Sequence, residues 1–536
     1  MIHPIISPSE FCFGLKTNKR AHIYRTPPSY TSQASSFLQR RHIFLRLNNL
    51  NTSQLQHHLP LCPLLFHTSP ATNIASMSSS LALIPEEIYI LQEKGIIGVE
   101  ILGKRKVSAA LLSLPSSLPN SASASSTSSR STLIRLRSFD PSSTKVSLDL
   151  PTDIESVAAL EHLGFTRKVA RDVFERYTKR PNPQQNPDSI LEYAFGELNR
   201  LKAQPSLQDI PPRQVMNTLG ISNELQDALL NPRFTQLFES QTLLYWLKDS
   251  MRMRFKTLEQ LLERLKSHAS RTITIRKGGK KRAKVEGLFE PGASSSSSSS
   301  QQPAVPPPTA LANFLTTSQE HGLPSAWMSV ELAPPKPEGY VALYKSKSPI
   351  ELTGGEGFIR DDGAINTNSI RTESGGDFNH INYAWYWTEE RETAEEYRQW
   401  AASRSSWSET WLIRVLVPET YLTSLRKQPL FFSPDWKEYV WYCKKQIAPP
   451  AKFDRFWKAG EAEVVEGHIC RCAMQIIQRT KKEQVQQNIH EDHCLVIGGK
   501  KAIQWVLMHA ETAERFGEIA KGNVYIDVHP PTILAK

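Results

Sequence analysis

The chain has 536 residues, 22% of them charged, and a formal net charge of +11. That length accommodates two or three domains, and no run of about 18 apolar residues is present to cross a membrane as a helix. The charge is unevenly placed: Met1 to Pro85 holds seven Lys/Arg and one acid, Glu10, Arg276 to Lys284 holds six basic residues, and 331–536 balances 26 basic against 28 acidic residues, which argues against a nucleic-acid-coating surface on the C-terminal domain.

Taken in order, residues 1–76 read as a targeting segment or a mis-annotated leader. They lack Asp and Glu after Glu10 and scatter Arg20, Arg25, Arg40, Arg41 and Arg46 among Ser, Leu and Phe, the composition of a mitochondrial presequence. Proline and histidine around His57 to Pro63 interrupt any amphipathic helix there. Translation from Met77 would remove this charge and place the protein in the nucleus and cytosol; the alternative is the mitochondrion. Residues 81–150 hold a short ordered piece, with a helix and hairpin between Ile84 and Val107. A serine-rich linker over Ser116–Ser131 and a weak strand around Leu133 to Arg137 follow.

Residues 151–203 read as three short helices. Thr152-Asp153-Ile154-Glu155 has the capping-box pattern. Val157, Leu160 and Leu163 form an apolar face ending at Gly164-Phe165. Thr166 opens a second helix and Asp188 a third. Residues 209–270 are helical again: Leu237, Leu244, Leu247, Met251, Phe255, Leu258, Leu262 and Leu265 recur at spacings of three, four and seven, predicting a long bundle helix or a short coiled coil. Residues 271–330 form a basic, poly-Ser (Ser294–Ser300) and Pro-rich linker; its basic tract is either a nuclear-import signal or a solvated run.

The fold class expected is multidomain: an all-α N-terminal region plus an α+β C-terminal domain, 331–536, rich in antiparallel strands. Nine of the eleven Trp lie from Trp385 onward. Tyr383, Trp385 and Trp387 alternate as in a strand, and Thr388 is placed to cap a helix with Glu389, Glu390 and Glu392 in its first turn. Strands are also expected at Tyr340–Tyr344, Trp411–Val417, Tyr439–Cys443, Ala462–Val465, His468–Met474, Cys494–Ile497 and Val524–Val528, and a helix over Lys500–His509. His490, Glu491, Asp492, His493 and Cys494 are adjacent in sequence, which points them in several directions, so no metal site is assigned. The six cysteines, Cys12, Cys62, Cys443, Cys470, Cys472 and Cys494, include no Cys-x-x-Cys pair; they read as free thiols in a reducing compartment.

Two resemblances follow from these motifs. The three-helix unit with Gly164-Phe165 between its first helices resembles a ubiquitin-associated domain, which implies ubiquitin as a partner with Gly164 and Phe165 at the contact. Three motifs in the C-terminal domain resemble an ADP-ribosyltransferase fold of the arginine–serine–glutamate class: Val341-Ala342-Leu343-Tyr344-Lys345, Trp385-Tyr386-Trp387-Thr388, and Glu461-Ala462-Glu463 entering a strand. Lys345 stands where that class has Arg, and Thr388 alone stands where it has a run of hydroxyl residues.

The resemblance implies NAD as substrate and ADP-ribosyl transfer, NAD glycohydrolysis, or a site of that fold without activity. Cleaving the nicotinamide–ribose bond leaves an oxocarbenium-like ribose, which a carboxylate can stabilise. Glu463 takes that role by resemblance, Glu461 orients an acceptor, Lys345 holds a diphosphate oxygen, Tyr344, Tyr386 and Trp387 sandwich a flat ring, and Thr388 braces the site. The competing reading is a non-catalytic interaction protein that uses its helical region to bind partners. The enzymatic reading requires the three motifs to converge on one cleft, within roughly 10 Å.

Overall fold

The structure, a computed structural model, describes residues 82–108, 132–136, 147–183, 188–200, 210–286, 328–329, 333–352 and 357–535. The leader over 1–76, the stretch Ser116–Ser131 and the runs Ser294–Ser300 and Pro303–Pro308 lie outside the described residues.

The N-terminal region is a mixed structure, which corrects the all-α expectation. Helix α1 (Pro85–Glu93) opens on proline, whose fixed φ and missing N–H suit the first helical position, and leads into the hairpin β1 (Ile97–Ile101) and β2 (Lys104–Ser108). Strand β4 (Ser147–Pro151) adds antiparallel to β2. The apolar side of this sheet, Ile97, Val107, Leu148 and Leu150, is buried with Leu91 against Leu258, Leu262 and Leu265 of a later helix. Strand β3 (Thr132–Leu136) leaves this neighbourhood and pairs in parallel with the last strand of the chain.

The three expected helices form as α2 (Val157–Leu163), α3 (Arg167–Thr178) and α4 (Ile190–Asn199). Their caps differ from the sequence reading: Ser156 Oγ, not Thr152, accepts the capping N–H of α2, and Ser189, not Asp188, that of α4. Gly164 ends α2 at φ +115, a conformation that favours glycine. A second helix pair, α5 (Pro212–Thr218) and α6 (Asn223–Leu229), has its own Gly220-Ile221-Ser222 corner. The two corners bond to each other: Thr166 N–H donates to Gly220 O and Ser222 N–H to Gly164 O, both at 2.7 Å. Phe165 is only 2% exposed, and a Cβ on Gly164 would lie 2.4 Å from Leu225 Cδ2. The Gly164-Phe165 corner expected to meet ubiquitin is therefore covered by α6 and its preceding turn.

Helix α7 (Leu243–Glu286) follows the predicted spacing from Leu244 on, Leu237 lying in a separate short helix before it, and it runs on through the basic tract expected in the linker. Leu247, Met251, Phe255, Leu258, Leu262 and Leu265 are all buried, against α1–α6 and the small sheet rather than in a coiled coil.

Beyond the linker the described residues build two large sheets and a two-stranded one. Strands β5 (Met328–Ser329), β6 (Tyr340–Lys347), β8 (Thr410–Pro418) and β14 (Val524–His529) join β3 in a five-stranded sheet of order β5-β3-β14-β8-β6. Strands β7 (Trp385–Trp387), β9 (Lys427–Leu430), β10 (Val464–His468) and β13 (Ile503–Leu507) form a four-stranded sheet of order β7-β13-β10-β9. Ile413, Val415, Ile526, Trp387, Trp505 and Leu507 share the core between the sheets, closed by Phe516 of α10 (Ala510–Ile519). The other face of the four-stranded sheet packs on α9 (Pro434–Lys444).

Three expectations fail here. Tyr439–Cys443 belongs to α9, with Ser433 Oγ accepting the N–H of Trp436 and Pro434 at the first position. Lys500–His509 is not a helix: β12 (Lys500–Lys501) pairs with β11 (Val496–Ile497), and β13 follows. The segment His468–Met474 is strand only at its first residue, and Met474 begins a short helix.

The linker separates the two regions in sequence but not in space. Trp400 of α8 (Arg391–Arg404) is buried among the N-terminal helices, its ring 5.4 Å from Trp246 and from Phe234. Arg254, 4% exposed, donates to Arg404 O and pairs with Glu224. Thr257 and Ser408 share a hydroxyl hydrogen bond of 2.6 Å. Among the described residues no helix is long and apolar enough to cross a membrane.

Candidate functional site

The first two motifs meet along the free edge of β6. Tyr344 and Thr388 exchange backbone hydrogen bonds, Tyr344 N–H to Thr388 O at 2.6 Å and Thr388 N–H to Tyr344 O at 3.1 Å. This bridge joins the two sheets at one corner and leaves a cavity of about 300 Å³ beside it, at the small end of the range for small-molecule sites. Tyr344, Lys345, Tyr386, Trp387 and Thr388 all line it.

Their geometry departs from a ring sandwich. Successive side chains of a strand face opposite ways, so Trp387 packs into the inter-sheet core, 5.2 Å from Phe516, while the Tyr386 hydroxyl lies on the other side, donating to Asn379 Oδ1 at 2.7 Å. Burial and then Asp377 push the Tyr386 hydroxyl well above its ordinary pKa. Thr388 Oγ1 accepts the N–H of Glu390, which is itself the cap residue of α8; Thr388 thus braces the turn before the helix rather than capping it.

Lys345 is 9% exposed and donates to Tyr386 O at 2.9 Å. Burial, reinforced by Lys347, lowers its pKa to about 7. It is therefore a weak counter-ion for a diphosphate at neutral pH, and it lacks the fork of an arginine.

The third motif does not join them. Glu463 precedes β10, where its carboxylate accepts the N–H of Arg426 at 3.1 Å and pairs with the side chains of Arg426 and Arg515. Burial opposes its ionisation, but the Arg426 N–H and the Arg515 side chain outweigh it and hold the carboxyl below the usual range. Glu461 is exposed. Neither lines the cavity, which β10 reaches only at its far end, through Ile469 and Cys470. At about 3.3 Å per residue, the seven steps from Glu463 to Cys470 span roughly 20 Å. Gly467 lies within β10, where a Cβ would sit 2.0 Å from Leu430 O of β9.

The cavity's polar floor was not found from sequence. Asp377 Oδ1 pairs with Lys444 Nζ at 2.9 Å, and its Oδ2 accepts Cys470 N–H at 2.7 Å and Gln504 Nε2 at 3.0 Å. Burial alone would lower the Lys444 pKa; the Asp377 carboxylate outweighs that and raises it. The roof comes from the helical region: Tyr245, Trp246 and Asp249 of α7 line the same cavity. Arg404 ties roof to wall, pairing with Asp249 and lying 4.6 Å over the Trp246 ring and 5.0 Å over that of Trp400. Around the cavity, Trp387 Nε1, Trp400 Nε1 and Arg404 Nε are buried without an acceptor among the described residues, none of them with surface open to the cavity.

The His490–Cys494 run fans out around a short turn: His493 Nδ1 accepts the His490 N–H, and Glu491 pairs with Lys501. Among the described residues no three His, Cys, Asp or Glu side chains come together as a metal site. Compared with protein-family models, with curated proteins and with solved structures, the chain matches none.

Proposed function

We propose that the C-terminal region binds a flat, acceptor-rich nucleotide, with NAD as the candidate, and does so without ADP-ribosyl transfer through Glu463. The observation that carries this reading is the convergence of Tyr344, Lys345, Tyr386, Trp387 and Thr388 on one cavity from which Glu461 and Glu463 are absent. The carboxylate present at the cavity floor, Asp377, is engaged by Lys444, Gln504 and a backbone N–H. It is placed to hold a ligand amide or hydroxyl through that network.

The test is titration calorimetry of the full chain with NAD, ADP-ribose and nicotinamide, alongside chromatographic assay of nicotinamide release. Saturable binding is expected for NAD, weakened at least tenfold by Gln504→Leu, with no release above background. Absence of saturable binding by any of the three at millimolar concentration overturns the binding assignment. Release that Glu463→Gln abolishes overturns the non-catalytic part.

A further inference from the structure

A second cavity, of about 520 Å³, lies on the outer face of the five-stranded sheet. Antiparallel register builds it. Tyr344 of β6 stands opposite Arg414 of β8, and Arg414 stands opposite Tyr525 of β14, so an arginine sits between two tyrosines in one cross-strand row. The Arg414 guanidinium lies 5.4 Å from the Tyr525 ring centroid. Its Nη1 donates to Pro334 O at 2.7 Å, which ties the proline-rich entry segment to the rim, while its Nε is buried without an acceptor among the described residues. Arg391, the first residue of α8, and Lys336 also line the cavity. Among the described residues the one acid lining it is Asp527, 3.5 Å from Arg391.

Among the described residues, three basic side chains therefore face one carboxylate. Arg391 is 45% exposed, so its side chain is free to turn from Asp527 toward a ligand. The imbalance attracts an oxyanion, and arginine's planar fork matches phosphate oxygens in pairs. The first cavity lacks this character, since Lys345 there is buried and bonded to a carbonyl.

We propose that this face is a binding site for a small phosphomonoester whose phosphoryl group rests on Arg391, Arg414 and Lys336 and whose organic part lies along Tyr344 or Tyr525. The site is distinct from the nucleotide cavity, although Tyr344 lines both. It stands or falls independently of whether NAD binds there.

The test is titration of the full chain with inorganic phosphate, AMP and adenosine at low ionic strength, each followed by calorimetry. Saturable binding of phosphate is expected, with AMP tighter than phosphate and adenosine at least tenfold weaker than AMP. Arg391→Gln and Lys336→Gln, both at exposed positions, should each weaken AMP binding about threefold or more, and Arg414→Gln tenfold or more. AMP binding that Gln504→Leu abolishes while Arg391→Gln and Lys336→Gln leave it intact would place the ligand in the first cavity and overturn the proposal. If Arg414→Gln fails to fold, the two exposed variants carry the test. Adenosine binding as tightly as AMP, no saturable binding of phosphate or AMP, or AMP affinity indifferent to Arg391→Gln and Lys336→Gln overturns the proposal.

Discussion

Glu463 and Asp377 are carboxylates at opposite ends of β10, and they are equally buried, at 7% and 8% exposure. Their partners are not alike. Glu463 meets Arg426 and Arg515, whose side chains are 57% and 56% exposed, whereas Asp377 meets Lys444, which is 2% exposed. The first pair lets its cations keep most of their water. The second has withdrawn both charges from water and depends on their attraction and on the added hydrogen bonds of Cys470 and Gln504. Burial of an acid by itself thus says little about its energetic weight; the solvation of the partner decides.

The largest effect should come from Lys444→Met, which leaves Asp377 buried and unpaired: a loss of about 3–5 kcal/mol in urea unfolding. Adding Asp377→Asn should recover most of it. A loss below about 1 kcal/mol in the single variant would mean that water reaches the floor of the cavity and that the contrast with Glu463 is false.

Lys345 sharpens the same contrast through pH. Its folded pKa of about 7 lies below the unfolded value of 10.5, so between these the unfolded chain holds a proton that the folded one does not. Stability then rises with pH by at most about 1.4 kcal/mol per unit. Between pH 7 and 9 the wild type should gain about 2–3 kcal/mol relative to Lys345→Met. Parallel stability curves for the two proteins would show that Lys345 stays charged in the cavity.

At the other end of β10, Glu463→Gln should cost only about 1 kcal/mol, and less in high salt, because both arginines are exposed. Its lowered folded pKa fixes the sign. The contribution is present above the ordinary value of 4.5 and is lost as pH falls through the lower folded value. A wild-type advantage that persists at pH 2 would contradict this.

The smallest effect is expected for Arg515→Ala, within about 0.5 kcal/mol, since the Arg426 N–H and side chain continue to hold Glu463. A cost comparable to that of Lys444→Met would erase the distinction between the two ends.

What could be read from the chain alone was whatever one element's own periodicity encodes. The spacing Leu247, Met251, Phe255, Leu258, Leu262 and Leu265 specifies one face of a helix whatever it packs on, and it appears as the buried face of α7. Trp385 and Trp387 alternate with Tyr386, and the strand is there. Where a segment is buried on all sides the pattern vanishes. Tyr439, Val440, Trp441, Tyr442 and Cys443 are all buried, so their continuous apolar run resembles a strand as much as a helix, and only the Ser433-Pro434 start distinguished α9.

The site divides along the same line. Tyr344 and Lys345 lie in mid-β6, Tyr386, Trp387 and Thr388 in and just after β7, the Tyr344–Thr388 bridge joins the two, and local pattern found them. Glu463 has a suggestive local sequence, but the end of β10 that faces the cavity is set by how β9 and β13 pair with it. Asp377 and Lys444 lie in a turn and at a helix end with no shared pattern. Packing brings them together, as it brings α7 over the cavity across the linker. Periodicity records which face of an element is apolar; which elements become neighbours depends on register and shape complementarity between segments far apart in the chain, and that only the tertiary structure decided.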